Sequence, residues 1–438
     1  MEKSPALTSP LLNLHIELQL QIVQYLRDSS TAQNALYNWS SVSSYFRNLL
    51  APFLFSSIIL RNTEKSGNSV NLIAQSKYCE YVRHFSFEGT APGDAEEGFS
   101  DVDIIFPQVV ENVLTNLGRF SNLEIVRIHF PMGFEAGWEA PWQLFQDPES
   151  VDDRQNVETH EAWRALNTKV YAALARNVDP GFKSLELDNL IPAEASSFSS
   201  VAFQSLLGKL SHFRLSSWDT SGFFRGNRLF GYVDYTSKFD RLFFNHLSAV
   251  THIDISASDL PMEIFGNSDT SLDRNLTQMP LLRSLHLDSI FIDRKLRAFL
   301  TSHAQTLEIV KLLNCHAKPP NRNPDGIYWW DLFATLSRAK PRMLSEFQVH
   351  SANNNKFELF DEFHSTQEVK NEAALALESL KSHPEKRLFS YANIDDKYGH
   401  VVDCEEDNLL SFQEGTDQRA YDDLIRIVEA NKRRHPKQ

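Results

Sequence analysis

Cysteine is almost absent from this chain. Cys79, Cys315 and Cys404 are the only three in 438 residues. So sparse and odd a set excludes a disulfide framework and fits a reducing compartment. Glycine is scarce too, at 16 residues, and no G-x-G-x-x-G, P-loop or G-x-S-x-G pattern occurs. That removes the phosphate-cradling loops and the nucleophile elbow built on those patterns. No run approaches the roughly 18 apolar residues of a membrane span. The opening Met-Glu-Lys-Ser-Pro lacks the apolar stretch of a signal peptide. Positive charge is in deficit: 43 Lys and Arg against 57 Asp and Glu leave a net −14. Such a chain repels nucleic acid and anionic membrane on average, so a protein partner is expected. The basic stretch Lys432-Arg-Arg-His-Pro-Lys437 fits a solvated end or a nuclear signal, and placement in cytoplasm, nucleus or both is expected.

Apolar residues are plentiful. They make up 42% of the chain, with 31 Phe, enough for a core along most of its length. In Leu11-Leu-Asn-Leu-His-Ile-Glu-Leu-Gln-Leu-Gln-Ile-Val-Gln-Tyr-Leu26 the first half alternates like a strand, whereas the second half is made of helix formers. On a helical wheel Leu18, Ile22, Tyr25 and Leu26 take one face and Ile16, Leu20 and Val23 nearly the opposite one, with Gln19 in a gap. Two apolar stripes predict a helix buried on two sides, one of them against the rest of the chain or a partner. Further short helices are expected over 32–42 and 44–50, then a strand over 53–60.

Leu14, Glu17, Leu18, Ile22 and Leu26, followed by Val42, Ser43, Phe46 and Arg47, resemble the F-box pattern. That pattern opens Leu-Pro-x-Glu-Leu, closes its first helix with Ile and Leu, and ends in a Val-(Cys/Ser) and Phe-(Arg) element. The resemblance spans residues 12–50. Together with the following Ala51-Pro-Phe-Leu-Phe-Ser-Ser-Ile-Ile-Leu-Arg-Asn62 it is similar to filamentous-fungal F-box proteins. It implies three helices docking on the Skp-type adaptor of a cullin–RING ubiquitin ligase complex, with Leu14, Ile16, Leu18, Leu20, Ile22, Val42 and Phe46 shared between core and docking surface. His15 stands where the family usually has Pro, which pre-sets the backbone at a helix entry, and Trp39 where Leu is more usual. A three-helix N-terminal cap would share much of the pattern.

A second phrase recurs through the middle: apolar, two residues, apolar, one residue, apolar. It begins at Val82, Leu123, Phe182, Leu210, Val250, Leu282, Leu307 and Leu344, at steps of 25 to 59 residues. The phrase is similar to the leucine-rich repeat L-x-x-L-x-L. Each copy predicts a short strand whose last two apolar residues point inward, so the residue between them points outward. Those residues are Ser86, Arg127, Glu186, Arg214, Asp254, His286, Lys311 and Gln348, all polar. Arg127, Glu186, Arg214, Asp254, His286 and Lys311 are the candidate face for a protein substrate. Arg127, Arg214 and Lys311 would permit phosphate reading. His212, His252 and His286 lie in or beside outward positions and either line that face or are simply solvated.

Helices are expected between phrases, over 158–177, 293–304 and 328–338. Strand–helix units of this kind predict a curved solenoid with a parallel sheet inside. The uneven steps equally suit an α/β domain with irregular crossovers. The asparagine of the standard repeat is mostly missing, with Asn314 the nearest candidate. Two insertions look loop-like, 89–103 and 131–156. In the second, Trp138 and Trp142 would anchor a partner or plug the sheet edge. Residues 357–383 predict a helix, 389–402 a hairpin and 417–431 a final helix that would cover an open end.

Catalytic signatures fail on inspection. His160-Glu-Ala-Trp-Arg164 begins like H-E-x-x-H, but Arg164 takes the second ligand position. His400 and Cys404 supply too few donors for a closed zinc site, and the acidic run 403–407 lacks EF-hand spacing. The expected architecture is therefore α/β: an F-box over 8–52, an irregular leucine-rich-repeat-like solenoid over 53–356 and a C-terminal helix, hairpin and capping helix over 357–438. The resemblance implies a substrate-recognition subunit of an SCF-type ligase, not itself an enzyme and without cofactor or metal. The alternative is a non-ligase interaction scaffold of leucine-rich-repeat type.

Overall fold

The computed structural model describes residues 14–28, 33–89, 106–130, 151–191, 193–217, 235–257, 261–264, 279–350, 367–383, 385–394 and 401–434. Over these the chain is mixed α/β, with a nine-stranded parallel sheet. The strands are β1 (Ser57–Arg61), β2 (His84–Glu88), β3 (Ile125–His129), β4 (Ser184–Leu190), β5 (His212–Ser217), β6 (His252–Ala257), β7 (Ser284–Asp288), β9 (Ile309–Leu313) and β11 (Glu346–His350). They lie side by side in chain order. A short parallel pair, β8 (Phe291–Ile292) with β10 (His316–Ala317), stands beside them.

All eight recurring phrases become strands of this sheet, β2 through β11, and the physical reason repeats from copy to copy. The first apolar residue of every phrase is buried, at most 3% exposed. Directly after it, one carbonyl accepts two N–H groups from the next strand. Arg83 O takes those of Glu124 and Ile125, Lys183 O those of Ser211 and His212, and Arg283 O those of Glu308 and Ile309. The two inward rows, Phe85-Val126-Leu185-Phe213-Ile253-Leu285-Val310-Phe347 and Phe87-Ile128-Leu187-Leu215-Ile255-Leu287-Leu312-Val349, are apolar and buried throughout. Three phrases then end in a left-handed residue seven places on: Asn189 (φ 52°), Ser289 (φ 56°) and Asn314 (φ 48°). Asn314 holds its turn through a 2.9 Å bond from Nδ2 to the Asp288 carboxylate.

β1 fits the same spacing, Phe55-Ser-Ser-Ile-Ile-Leu60, but with apolar Ile59 facing outward, 46% exposed. The expected strand over 53–60 is thus shifted. The preceding helix runs through Pro52 to Leu54, because in a final turn proline forfeits one backbone bond without breaking the helix body. Parallel neighbours need crossovers, and helices supply many of them. The single helix expected over 158–177 is two, Val151–His160 and Ala162–Ala175, parted at Glu161, whose backbone is extended and whose carboxylate accepts from Arg164 Nε at 2.8 Å. The first of these claims residues 151–156 of the expected loop. Trp138, Trp142 and the insertion 90–103 lie outside the described residues.

At the N-terminus α1 (Ile16–Asp28), α2 (Gln33–Val42) and α3 (Ser44–Leu54) close on a small cluster of Val23, Leu36, Phe46 and Leu50. At the other end the helix expected over 357–383 is described as Gln367–Ser382, with 357–366 outside the described residues, and the expected hairpin as Ala392–Ile394/Val401–Asp403, with its turn outside the described residues. The acidic stretch after Cys404 is a further helix, Glu405–Glu414. Its three first-turn carboxylates suit the helix dipole, and Gly415 ends it at φ 61°. The last helix, Thr416–Arg434, lies along Trp329–Ala339. Its Tyr421 packs among Phe333, Phe347 and Phe389. Asn431 Nδ2 donates to Pro341 O and Leu344 O, and Arg387 donates to Val349 O on the terminal strand. Those contacts cover the β11 edge.

Candidate interaction surfaces

The outward positions form one continuous row. Register places Ile59, Ser86, Arg127, Glu186, Arg214, Asp254, His286, Lys311 and Gln348 side by side across nine strands. All six candidate residues of the substrate face lie in this row. They are not equally available. Arg127 is ion-paired with Asp188 on the next strand, and Lys311 Nζ lies 3.1 Å from Glu346. His286 Nδ1 lies 2.7 Å from Asp254. Glu186 and Arg214 face each other in register without an ion pair among the described residues.

Spacing alone did not reveal Asp188, one row further along the strands. It accepts from Arg127, from Ser216 Oγ at 2.8 Å, and faces His129 Nδ1 at 3.0 Å. Burial works to raise its pKa, but the Arg127 and Ser216 bonds outweigh burial and hold the carboxyl below its ordinary value. In the opposite row the rings of His212 and His252 stack with centroids 4.3 Å apart. Burial and the neighbouring His212 keep His252 below the usual histidine range.

The second surface is on the three N-terminal helices. Of the seven residues expected to share core and docking roles, Phe46 is core, 2% exposed. Leu14 and Ile22 are half-buried. Ile16, Leu18, Leu20 and Val42 are exposed, at 38% to 68%, and Tyr25, Tyr37 and Tyr45 extend the apolar surface. The wheel is corrected in one respect: the inward side of α1 is centred on the gap at Gln19 (1% exposed), with only the adjoining edge of each stripe, Val23 (buried) and Leu26 (half-buried), packed on the small core. Gln19 is tolerated there because Tyr45 Oη donates to its Oε1 at 2.8 Å and its Nε2 donates to Leu14 O at 2.9 Å. Both stripes therefore flank the seam and remain largely outside.

Hydroxyls meet imidazoles on the sheet face: Ser211 Oγ lies 2.9 Å from His212 Nδ1, Thr251 Oγ1 2.8 Å from His252 Nδ1, and buried Ser284 Oγ 3.4 Å from Nε2 of His286, whose Nδ1 faces Asp254. Burial pushes the thiols of Cys315 and Cys404 up to about 12, away from the thiolate form that attacks or binds metal. Burial also lowers His316 to about 4. His400 lies outside the described residues. Among the described residues no group of three or more His, Cys, Asp and Glu side chains is arranged to hold a metal ion, and no helix is long and apolar enough to cross a membrane. No family model matches the chain, and no curated protein matches it.

Proposed function

We propose that the chain is a non-catalytic substrate receptor of an SCF-type ubiquitin ligase. The three N-terminal helices act as an F-box that docks on a Skp-type adaptor. The sheet, read as an irregular leucine-rich-repeat-like solenoid, offers its outward row to a protein substrate. The observation that carries the reading is the exposed apolar set on α1 and α2. Ile16, Leu18, Leu20 and Val42 stay out of the small core that Phe46, Val23, Leu36 and Leu50 already close. Apolar surface left over on so small a unit favours a partner. The chain-order stacking of nine in-register strands supports the repeat reading. The mechanism is proximity: the receptor holds a substrate beside ligase-bound ubiquitin and makes no bond itself.

Co-purification with the adaptor subunit tests this. Leu18→Asp with Val42→Asp changes only exposed positions, so the chain stays folded and adaptor capture is lost. A native, folded chain that retains no adaptor overturns the ligase reading in favour of a plain interaction scaffold. A folded double variant that still captures adaptor overturns the choice of docking residues.

A further inference from the structure

Two neighbouring phrases share a detail beyond their apolar spacing. Leu210-Ser-His-Phe-Arg-Leu and Val250-Thr-His-Ile-Asp-Ile both place a hydroxyl residue before a histidine. Register sets His212 against His252, and their rings stack at 4.3 Å with 12° between planes. Each Nδ1 meets the preceding hydroxyl, Ser211 Oγ at 2.9 Å and Thr251 Oγ1 at 2.8 Å. Each hydroxyl also reaches a carbonyl of the preceding strand, Lys183 O at 3.3 Å and Ser211 O at 3.0 Å. A hydroxyl has one hydrogen. With the carbonyl receiving it, the oxygen accepts the imidazole Nδ1–H, and that tautomer leaves Nε2 of both rings with a free lone pair. An outer hydrogen bond that fixes Nδ1–H is the arrangement metal-binding imidazoles carry.

We propose that His212 and His252 form a two-imidazole site for a borderline divalent transition metal of the zinc, nickel and copper class, each binding through Nε2 with water completing the coordination. Zn–N bonds of about 2.0–2.1 Å at a tetrahedral angle set two nitrogens about 3.3 Å apart. Both histidines are exposed, so their rings are able to tilt together from the stacked arrangement. In the same row Ser184 and Ser284 flank the pair with small side chains, which leaves room for the ion and its waters. Asp254 and Glu308 lie within electrostatic reach of His252 and offset the Arg214 cation in the adjoining row. With two protein donors instead of four, affinity falls well short of a closed structural zinc site. This site does not depend on the receptor reading.

Calorimetric titration of the full chain with Zn2+ alone tests it. The native chain takes up one equivalent. His212→Gln and His252→Gln each weaken binding about tenfold or more, and Ser211→Ala with Thr251→Ala about tenfold, through loss of the outer hydrogen bonds. His84→Gln, in the same row but preceded by Arg83, leaves binding unchanged. Unaltered circular dichroism shows that each variant is folded. Absence of zinc uptake by the native chain, native-like zinc affinity in the His212→Gln or His252→Gln chain, or a comparable loss in His84→Gln overturns the assignment.

Discussion

Phe46→Ala separates the two bodies of this chain. Phe46 is 2% exposed, stacks on Trp39 with centroids 5.2 Å apart and meets the edge of Tyr45 at 5.5 Å. Truncating a buried phenylalanine costs about 3–5 kcal/mol. The cluster it belongs to holds four buried side chains and is distinct from the core beneath the sheet. A single small core rarely supplies more than about 3–5 kcal/mol. The loss therefore matches the whole margin of helices α1 to α3, while the sheet core is untouched. Hydrogen exchange read by mass spectrometry resolves this. Amides within 16–54 lose protection by about 10²- to 10³-fold, since each 1.4 kcal/mol is a factor of ten. Amides of β5 and β6 keep theirs. Two results refute the reasoning. Unchanged protection in 16–54 would mean that contacts such as the Phe55–Tyr78 stack at 4.6 Å carry the helices without their own core. Loss of protection throughout would mean one cooperative unit.

Asp293 caps the helix Arg294–Ser302 by accepting the Leu296 N–H at 2.8 Å, yet burial pushes its carboxyl up to about 6. A folded pKa above the unfolded one adds stability at low pH that is lost as pH rises through about 4 to 6. The loss is about 3 kcal/mol at most. Asp293→Asn keeps an acceptor and removes this slope, so the denaturant midpoint at pH 7.5 rises relative to that at pH 4.5 when compared with the native chain. An unchanged gap refutes the assignment. Asn177→Ala strips the buried Leu117 N–H of its 2.9 Å acceptor and the Leu114 and Leu174 carbonyls of a donor. It costs about 2–4 kcal/mol by chemical denaturation, and a cost below about 1 kcal/mol would show that water replaces the amide. Asp188 behaves oppositely to Asp293. Its lowered pKa contributes stability at neutral pH that disappears as pH falls through the folded value. Asp188→Asn therefore reduces the stability lost on acidification, by about 1 kcal/mol because Arg127 is half-exposed.

The sheet was legible because burial on one face of a strand writes itself into every second residue. Eight phrases gave eight strands, and the polar residue inside each fell into a single row. The ion pairs among those residues were not legible. Arg127 reaches Asp188, which belongs to a different row, and only the register between strands brings the two together. β1 was read as a strand, but its kinship to the phrases was hidden by Ile59, the one apolar residue in the outward row.

The N-terminal helix shows where periodicity fails. A hydropathy wheel assigns glutamine to solvent, yet Gln19 is buried beside Val23 because Tyr45, 26 residues away, supplies a donor for its carbonyl. The energetic rule is satisfaction, not polarity: a buried amide with both ends bonded costs little. The break at Glu161 is similar in kind, since neither Gly nor Pro marks it and a side-chain bond from Arg164 holds it. The two apolar stripes of α1 were seen correctly, but both were expected to be covered. Because the seam is centred on Gln19 and takes only the stripe edges at Val23 and Leu26, more of Ile16, Leu18 and Leu20 faces outward than two buried stripes would allow. The residue that looked like a gap in the pattern is the one that turns the apolar flanks toward a partner.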